Sequence, residues 1–269
     1  MTEKENLEIV FLGTGAPTTL PAFFCTCSTC EEARLNPSLR RTRAALALLG
    51  EETTIIDAGP DIEHQLEREG IRTVDNIFIT HWHYDHIAGI VGFYEPVSIS
   101  KWGRVQFYGT ADVINIFERD YAFMKTWFDL HTIKPGDRIQ LKDATWEVVK
   151  TTHTEHSVGF VVEAETKFTY LVDGAIPPPE TISRLRDLDL LITEATLDYL
   201  DAEWAHFDVK DAVKFWKETG IPKCILTHLS CHSWKNGQLL AGMTPSERKD
   251  YESEHDGLIF AYDGMRISL

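Results

Sequence analysis

The sequence predicts a layered α/β fold in which two β-sheets are covered by helices. Three observations carry this reading. Apolar runs of strand length recur along the whole chain, helical patterns fall between groups of those runs, and Gly, Pro and Asp punctuate their boundaries. A chain of 269 residues can bury such a core as one large domain, and no repeat, linker or low-complexity tract divides it.

In chain order, the expected strands are 8–12, 44–49, 53–57, 76–80, 104–108, 146–151, 159–164, 168–173, 190–194, 223–227 and 257–262. Each is a short apolar run bounded by turn-forming residues. Helical patterns occupy 60–69, 111–128, 178–186, 207–219 and 244–254. Asp208 and Thr244 are suited to cap the last two, while Gly70 and Gly220 end the helices before them. Lys134-Pro135-Gly136-Asp137 reads as a turn. Within 111–128 the aromatic residues Phe117, Tyr121, Phe123, Trp127 and Phe128 have a spacing that favours core over a ligand wall.

Bulk properties restrict the function. No apolar run approaches the ~20 residues of a membrane span, the first six residues are acidic and polar, and the run 7–12 is too short for a signal-peptide core, so the expected location is cytoplasmic with no membrane partner. A formal charge of −16 disfavours a nucleic-acid polymer, whose binding rests on neutralising phosphates. Five cysteines, an odd number, argue against a disulfide framework.

The stretch Phe78–Ile90, FITHWHYDHIAGI, places His81, His83, Asp85 and His86 within six positions. A lone histidine is usually a core or surface residue. Four ligand-type side chains after an apolar run instead suit a divalent metal, because imidazole and carboxylate bind zinc, manganese or iron. Spacing of two on an extended segment points His81 and His83 the same way. His153, Asp173 and His228 stand at or just past other strand ends, where sites in layered folds form.

THWHYDH resembles the T-H-x-H-x-D-H signature of the metallo-β-lactamase fold superfamily, whose domains are four-layer αββα sandwiches. IVFLGTGAP, TIIDAGP (with Asp57), YLVDGA, ILTHLS, and His153 followed by Gly159-Phe160 resemble its other elements in the same order. CTCSTCEEARLNPSLRRTRAAL and AHFDVKDAV point to its PhnP-like cyclic phosphodiesterases. The resemblance implies one metal on His81, His83 and His153, and a second on Asp85, His86 and His228, with Asp173 and a hydroxide between them. Asp85 and His206 would then be catalytic, His206 as general acid or phosphate binder. His156, three residues past His153, would compete as a ligand, face the substrate or lie in a solvated loop. Gly174 departs from the threonine that relatives often carry. Arg40, Arg41 and Arg43 read either as a phosphate-binding run or, preferably, as a solvated strand start.

Cys25, Cys27 and Cys30 have the spacing C-x-C-x2-C, one ligand short of a tetrahedral zinc site. PhnP-like proteins hold a structural zinc at this cluster, with a fourth ligand three residues past the last active-site histidine. That position is Cys231, with His232 as runner-up. Such a zinc would pin the loop near 16–43 to the loop after His228. Cys224 reads as core. The resemblance therefore implies a hydrolase with two divalent ions (zinc or manganese) and one structural zinc, acting on a small, cyclic phosphodiester; a homodimer is compatible with it. Its rivals are a tRNA 3′-processing nuclease, a flavodiiron oxidoreductase, disfavoured because His83 stands where a glutamate is usual, and a PqqB-like non-hydrolytic protein.

Overall fold

Among the described residues, fourteen strands assemble into two seven-stranded sheets, and a two-stranded hairpin, His232–Lys235 with Gln238–Ala241, stands apart. The computed structural model describes residues 7–99, 102–197, 206–235 and 238–269; the acidic stretch 1–6 lies outside the described residues. The first sheet contains β1 (Glu8–Gly13), β2 (Ala45–Leu49), β3 (Thr53–Ile56), β4 (Asn76–Phe78), β5 (Val105–Gly109) and β6 (Phe128–Thr132) in that order, with Arg266–Ser268 outside β1. The second runs from β7 (Arg138–Gln140) through β8 (Thr145–Lys150), β9 (Val158–Glu163), β10 (Lys167–Leu171) and β11 (Leu190–Glu194) to β12 (Lys223–Thr227), with Leu258–Phe260 at its edge.

Strand alternation explains the layers. β1 turns Ile9 and Phe11 toward the other sheet and Val10 and Leu12 toward the covering helices. β2 does the same with Leu46 and Leu48 inside and the smaller Ala45 and Ala47 outside. Across the seam, Phe78 stacks between Tyr108 at 4.4 Å and Trp146 at 4.6 Å, joining the two sheets. Each buried aromatic contributes roughly 1.5–3 kcal/mol of hydrophobic stabilisation. Helix Val209–Thr219 buries Val213, Phe215 and Trp216 on the outer face of the second sheet, beside Cys224. Asp208 accepts a hydrogen bond from the Asp211 amide, and Gly220, at φ 73°, ends that helix. Thr244 and Glu247 form a capping box on Pro245–Glu254.

Two expectations change. The pattern over 111–128 resolves into helix Ala111–Asp120, a 3-10 segment Ala122–Trp127 and the start of β6. Phe117 and Phe128 are core, as their spacing suggests, but Phe128 reaches it from a strand, and Phe123 is exposed. The cysteine-bearing loop contains helix Ser28–Leu35, which its polar composition hid.

Each sheet is half antiparallel and half parallel. β3 to β6 run parallel, as do β10, β11, β12 and the edge strand Leu258–Phe260. This arrangement matters because Asp57, Thr80, Asp173, Glu194 and His228 all follow or end such strands.

Candidate metal centre

Three of the residues at these strand ends are held in an unusual backbone conformation. Asp57, Asp173 and His228 have φ of 65°, 61° and 55°, in the left-handed region that non-glycine residues seldom adopt. Gly174 follows Asp173 at φ 127°. Any side chain there, threonine included, would be strained. The turn at Gly59 is fixed by close approach, since an added Cβ would lie 2.0 Å from the Asp85 carbonyl oxygen. That contact seats the short helix Tyr84–Ile87, carrying Asp85 and His86, against the turn after Asp57.

The structure brings the seven expected donors together in two groups. His81, His83, His153 and Asp173 form one; Asp85, His86, Asp173 and His228 form the other, and in each the ligand-type atoms lie within 4.8 Å of one another. Asp173 is common to both. Its Oδ2 is 2.9 Å from His86 Nε2 and 3.3 Å from His81 Nε2, and its Oδ1 is 3.1 Å from His228 Nε2. His83 Nδ1 and His153 Nε2 are 3.0 Å apart. Despite these distances, Nε2 of His81, His86 and His228 and Oδ1 of Asp173 are buried without a properly directed hydrogen bond. Buried polar atoms are rarely left so. Within each donor group the ligand-type atoms lie within 4.8 Å of one another, as a cation's ligands must.

Electrostatics agree with the geometry. Burial opposes ionisation of Asp173, but His228, His86 and His81 hold its carboxyl well below the usual range. Burial likewise opposes the charge on Asp85, and His228 and His86 outweigh it. Burial pushes His81 well below its ordinary value and His153 down to about 4. His86 is the exception: burial lowers its pKa, but Asp57 and Asp173 raise it well above the ordinary value.

Beneath the donors lie two buried carboxylates. Asp57 accepts from the Thr80 amide at 2.8 Å, from the Thr80 hydroxyl at 3.0 Å, and from His86 Nδ1 at 2.7 Å. The sequence reading missed Glu194. This residue ends β11 fully buried, accepting from the Gly174 amide at 2.6 Å, from the Thr196 hydroxyl and from His206 Nδ1 at 2.9 Å. Glu194, His206, Asp173 and His228 also form a ligand-type group. Because Glu194 already accepts from three donors, we assign it to orienting its neighbours. Burial lowers the pKa of His206, but the Glu194 carboxylate overrides it and raises the ring to about 9. An acid inside the run ITEAT had no signal beyond its place at a strand end.

The remaining sequence candidates divide. Cys25, Cys27, Cys30 and Cys231 converge within 4.8 Å as free thiols. His232 adjoins them, with Nε2 2.8 Å from Cys25 Sγ and Nδ1 3.1 Å from Cys231 Sγ. His156 is exposed and belongs to none of the donor groups found among the described residues. The arginines bond to the chain's own groups: Arg40, which is exposed, donates to the Ala33 carbonyl, Arg41 to Thr14, and Arg43 to Asp61 and the Pro17 carbonyl. These bonds tie down the loop that carries the cysteines; Arg40 is exposed, as a solvated strand start requires, while Arg41 and Arg43 are partly buried.

The family described as beta-lactamase superfamily domain matches residues 53–229, more than half of the chain. An octanoyltransferase of Porphyromonas gingivalis is 26% identical over 97% of this chain and 53% of its own, so the chain spans about half the length of that relative. A ribonuclease Z of Archaeoglobus fulgidus is 23% identical over 76% of this chain and 87% of its own. Among solved structures, a diphosphatase of the PhnP family superposes with a TM-score of 0.83 at 22% identity, covering 98% of each chain. Zinc-bound PqqB of Methylobacterium extorquens gives 0.78 at 20% identity, covering 97% of this chain and all of that one. Two packed sheets, helices on both outer faces and donors gathered at one edge match what the family comparison finds: the chain belongs to the β-lactamase superfamily and has the metallo-β-lactamase fold.

Proposed function

We propose that the chain is a binuclear metal-dependent phosphodiesterase acting on a small, cyclic phosphodiester. The observation that carries this reading is the pair of donor groups sharing Asp173, with four ligand-type atoms buried and lacking hydrogen bonds. The donor set fits two divalent ions, zinc or manganese. His81, His83 and His153 would hold one; Asp85, His86 and His228 the other; Asp173 would lie between them. The raised pKa of His86 supports the fit, because a cation at Nε2 would take the place of the proton that the carboxylates otherwise retain there. Ions held there would supply a water of lowered pKa and would offset charge on the phosphoryl oxygens.

The chain's own residues do the rest. Asp85 fixes the second group from the motif helix. His206 is tethered through Nδ1 to Glu194, which leaves Nε2 to meet either the phosphate or the leaving oxygen. As general acid, it would hand a proton from Nε2 to that oxygen. The four cysteines fit a closed structural zinc of four thiolates, with His232 beside them as a hydrogen-bond partner.

Cyclic and linear phosphodiesters assayed with Mn²⁺, Zn²⁺ and Ni²⁺ test this reading, with a precursor tRNA in the same panel. Hydrolysis of small diesters and no tRNA cleavage is the expected result. The tRNA belongs there because ribonuclease Z is among the relatives, and net charge by itself does not set that substrate aside. Metal-replete protein inactive on every phosphodiester would favour the non-hydrolytic reading that the PqqB likeness suggests.

A further inference from the structure

We infer that Thr196 is a positioning residue whose hydroxyl fixes the tautomer of His228 and so aims Nε2 of that ring into the centre. The argument rests on the metal reading above and on the polarity of one hydroxyl. A threonine hydroxyl has a single proton to donate. That of Thr196 goes to Glu194 Oε2, a carboxylate oxygen that can only accept. Toward His228 Nδ1, at 2.8 Å, the same oxygen must then accept. Nδ1 therefore carries the ring proton, and Nε2, buried 3.1 Å from Asp173 Oδ1 without a directed hydrogen bond, keeps its lone pair.

The first sheet repeats the device. The Thr80 hydroxyl lies 3.0 Å from both oxygens of Asp57 and 3.0 Å from His81 Nδ1, which leaves His81 Nε2 facing the centre. Carboxylate, threonine and histidine thus occur in the same order of contact at both sheet ends, on residues far apart in the chain. A threonine serving only to pack would not need its hydroxyl between a filled carboxylate and an imidazole. Orienting a ligand through the nitrogen away from the metal is a general way of tuning affinity.

The test titrates metal-free wild type, Thr196→Val and Thr196→Ser with Co²⁺, following visible absorption, so that no substrate is needed. Wild type should bind two Co²⁺ at the His/Asp centre. Thr196→Val should keep one at wild-type affinity and weaken the other by roughly 10–100-fold. Thr196→Ser, which retains the hydroxyl, should restore the second. Thr196→Ala removes the same hydroxyl with less bulk and must show the same selective loss, which covers a valine variant that does not fold. Wild-type affinity for both ions in Thr196→Val or Thr196→Ala, or an equal loss of both, overturns the inference. A wild-type protein that binds fewer than two Co²⁺ overturns the metal reading itself, a different outcome in the same titration.

Discussion

At the end of the first sheet, Asp57, Thr80 and His81 form a sealed relay: Asp57 is fully buried, and its other imidazole partner is His86, itself a candidate ligand. At the end of the second sheet, Glu194, Thr196 and His228 repeat the order, but the other imidazole on Glu194 is His206, whose side chain is 17% exposed. Both carboxylates do the same local work. The difference lies in what else each one holds. Asp57 directs a second ring inward, whereas Glu194 directs one toward solvent. One relay can serve only to hold ligands; the other also presents a protonatable group where a substrate can reach it.

The largest effect should come from breaking the inward arm. His86→Ala is expected to abolish phosphodiester hydrolysis and to remove one of the two ions, because it deletes a donor from the second group. Metal analysis and turnover measured together check this, and two ions retained at wild-type activity would refute the ligand role proposed for His86.

Its counterpart on the open arm should behave differently. His206→Ala should lower turnover by roughly 10²–10⁴-fold while leaving both ions bound, the range for a positioned acid. The defect should shrink for nitrophenyl diesters, whose leaving groups need no proton. A raised KM with the same defect on every substrate would indicate phosphate binding instead.

A pH series sharpens the contrast. In the metal-free protein, Glu194 raises His206 to about 9 from 6.5. A raised folded pKa adds stability that is complete below the unfolded value and lost as pH rises through the folded one. The stability gap between wild type and His206→Asn should therefore be widest below 6.5 and close as pH passes about 9, which thermal melts can follow. A gap that widens over that range would mean the Glu194 pair does not control the ring.

The smallest effect lies outside both relays. Asp208→Ala removes the cap of helix Val209–Thr219 and should cost about 1 kcal/mol, roughly 2–4 °C in melting temperature for a chain of this size. Metal content should not change. Loss of an ion in that variant would show that the helix start, two residues after His206, is part of the centre.

Much of this organisation was legible in the sequence because the donors advertise themselves. Four ligand types within six positions have few structural uses, and Asp173 and His228 follow apolar runs that could only be strands. Glu194 was not legible, since one acid at a strand end looks like any other until its three donors are seen. The arginines were legible only in part: Arg40 is exposed, as a basic run suggests, yet Arg41 and Arg43 are partly buried on a hydroxyl, a carbonyl and Asp61. Edge strands such as Arg138–Gln140 and Arg266–Ser268, three residues each, carry too little alternation to detect.

The left-handed backbone at Asp57, Asp173 and His228 has a consequence for anyone selecting sturdier variants of this protein. A side chain in that region costs roughly 1–2 kcal/mol, which glycine would relieve. At Asp57 the buried hydrogen bonds its carboxylate accepts outweigh that gain. Selection for heat resistance alone should therefore favour glycine first at Asp173 and His228, which the proposed chemistry cannot spare. Durable and active variants should separate at these strand ends first, before any change in the aromatic seam between the sheets.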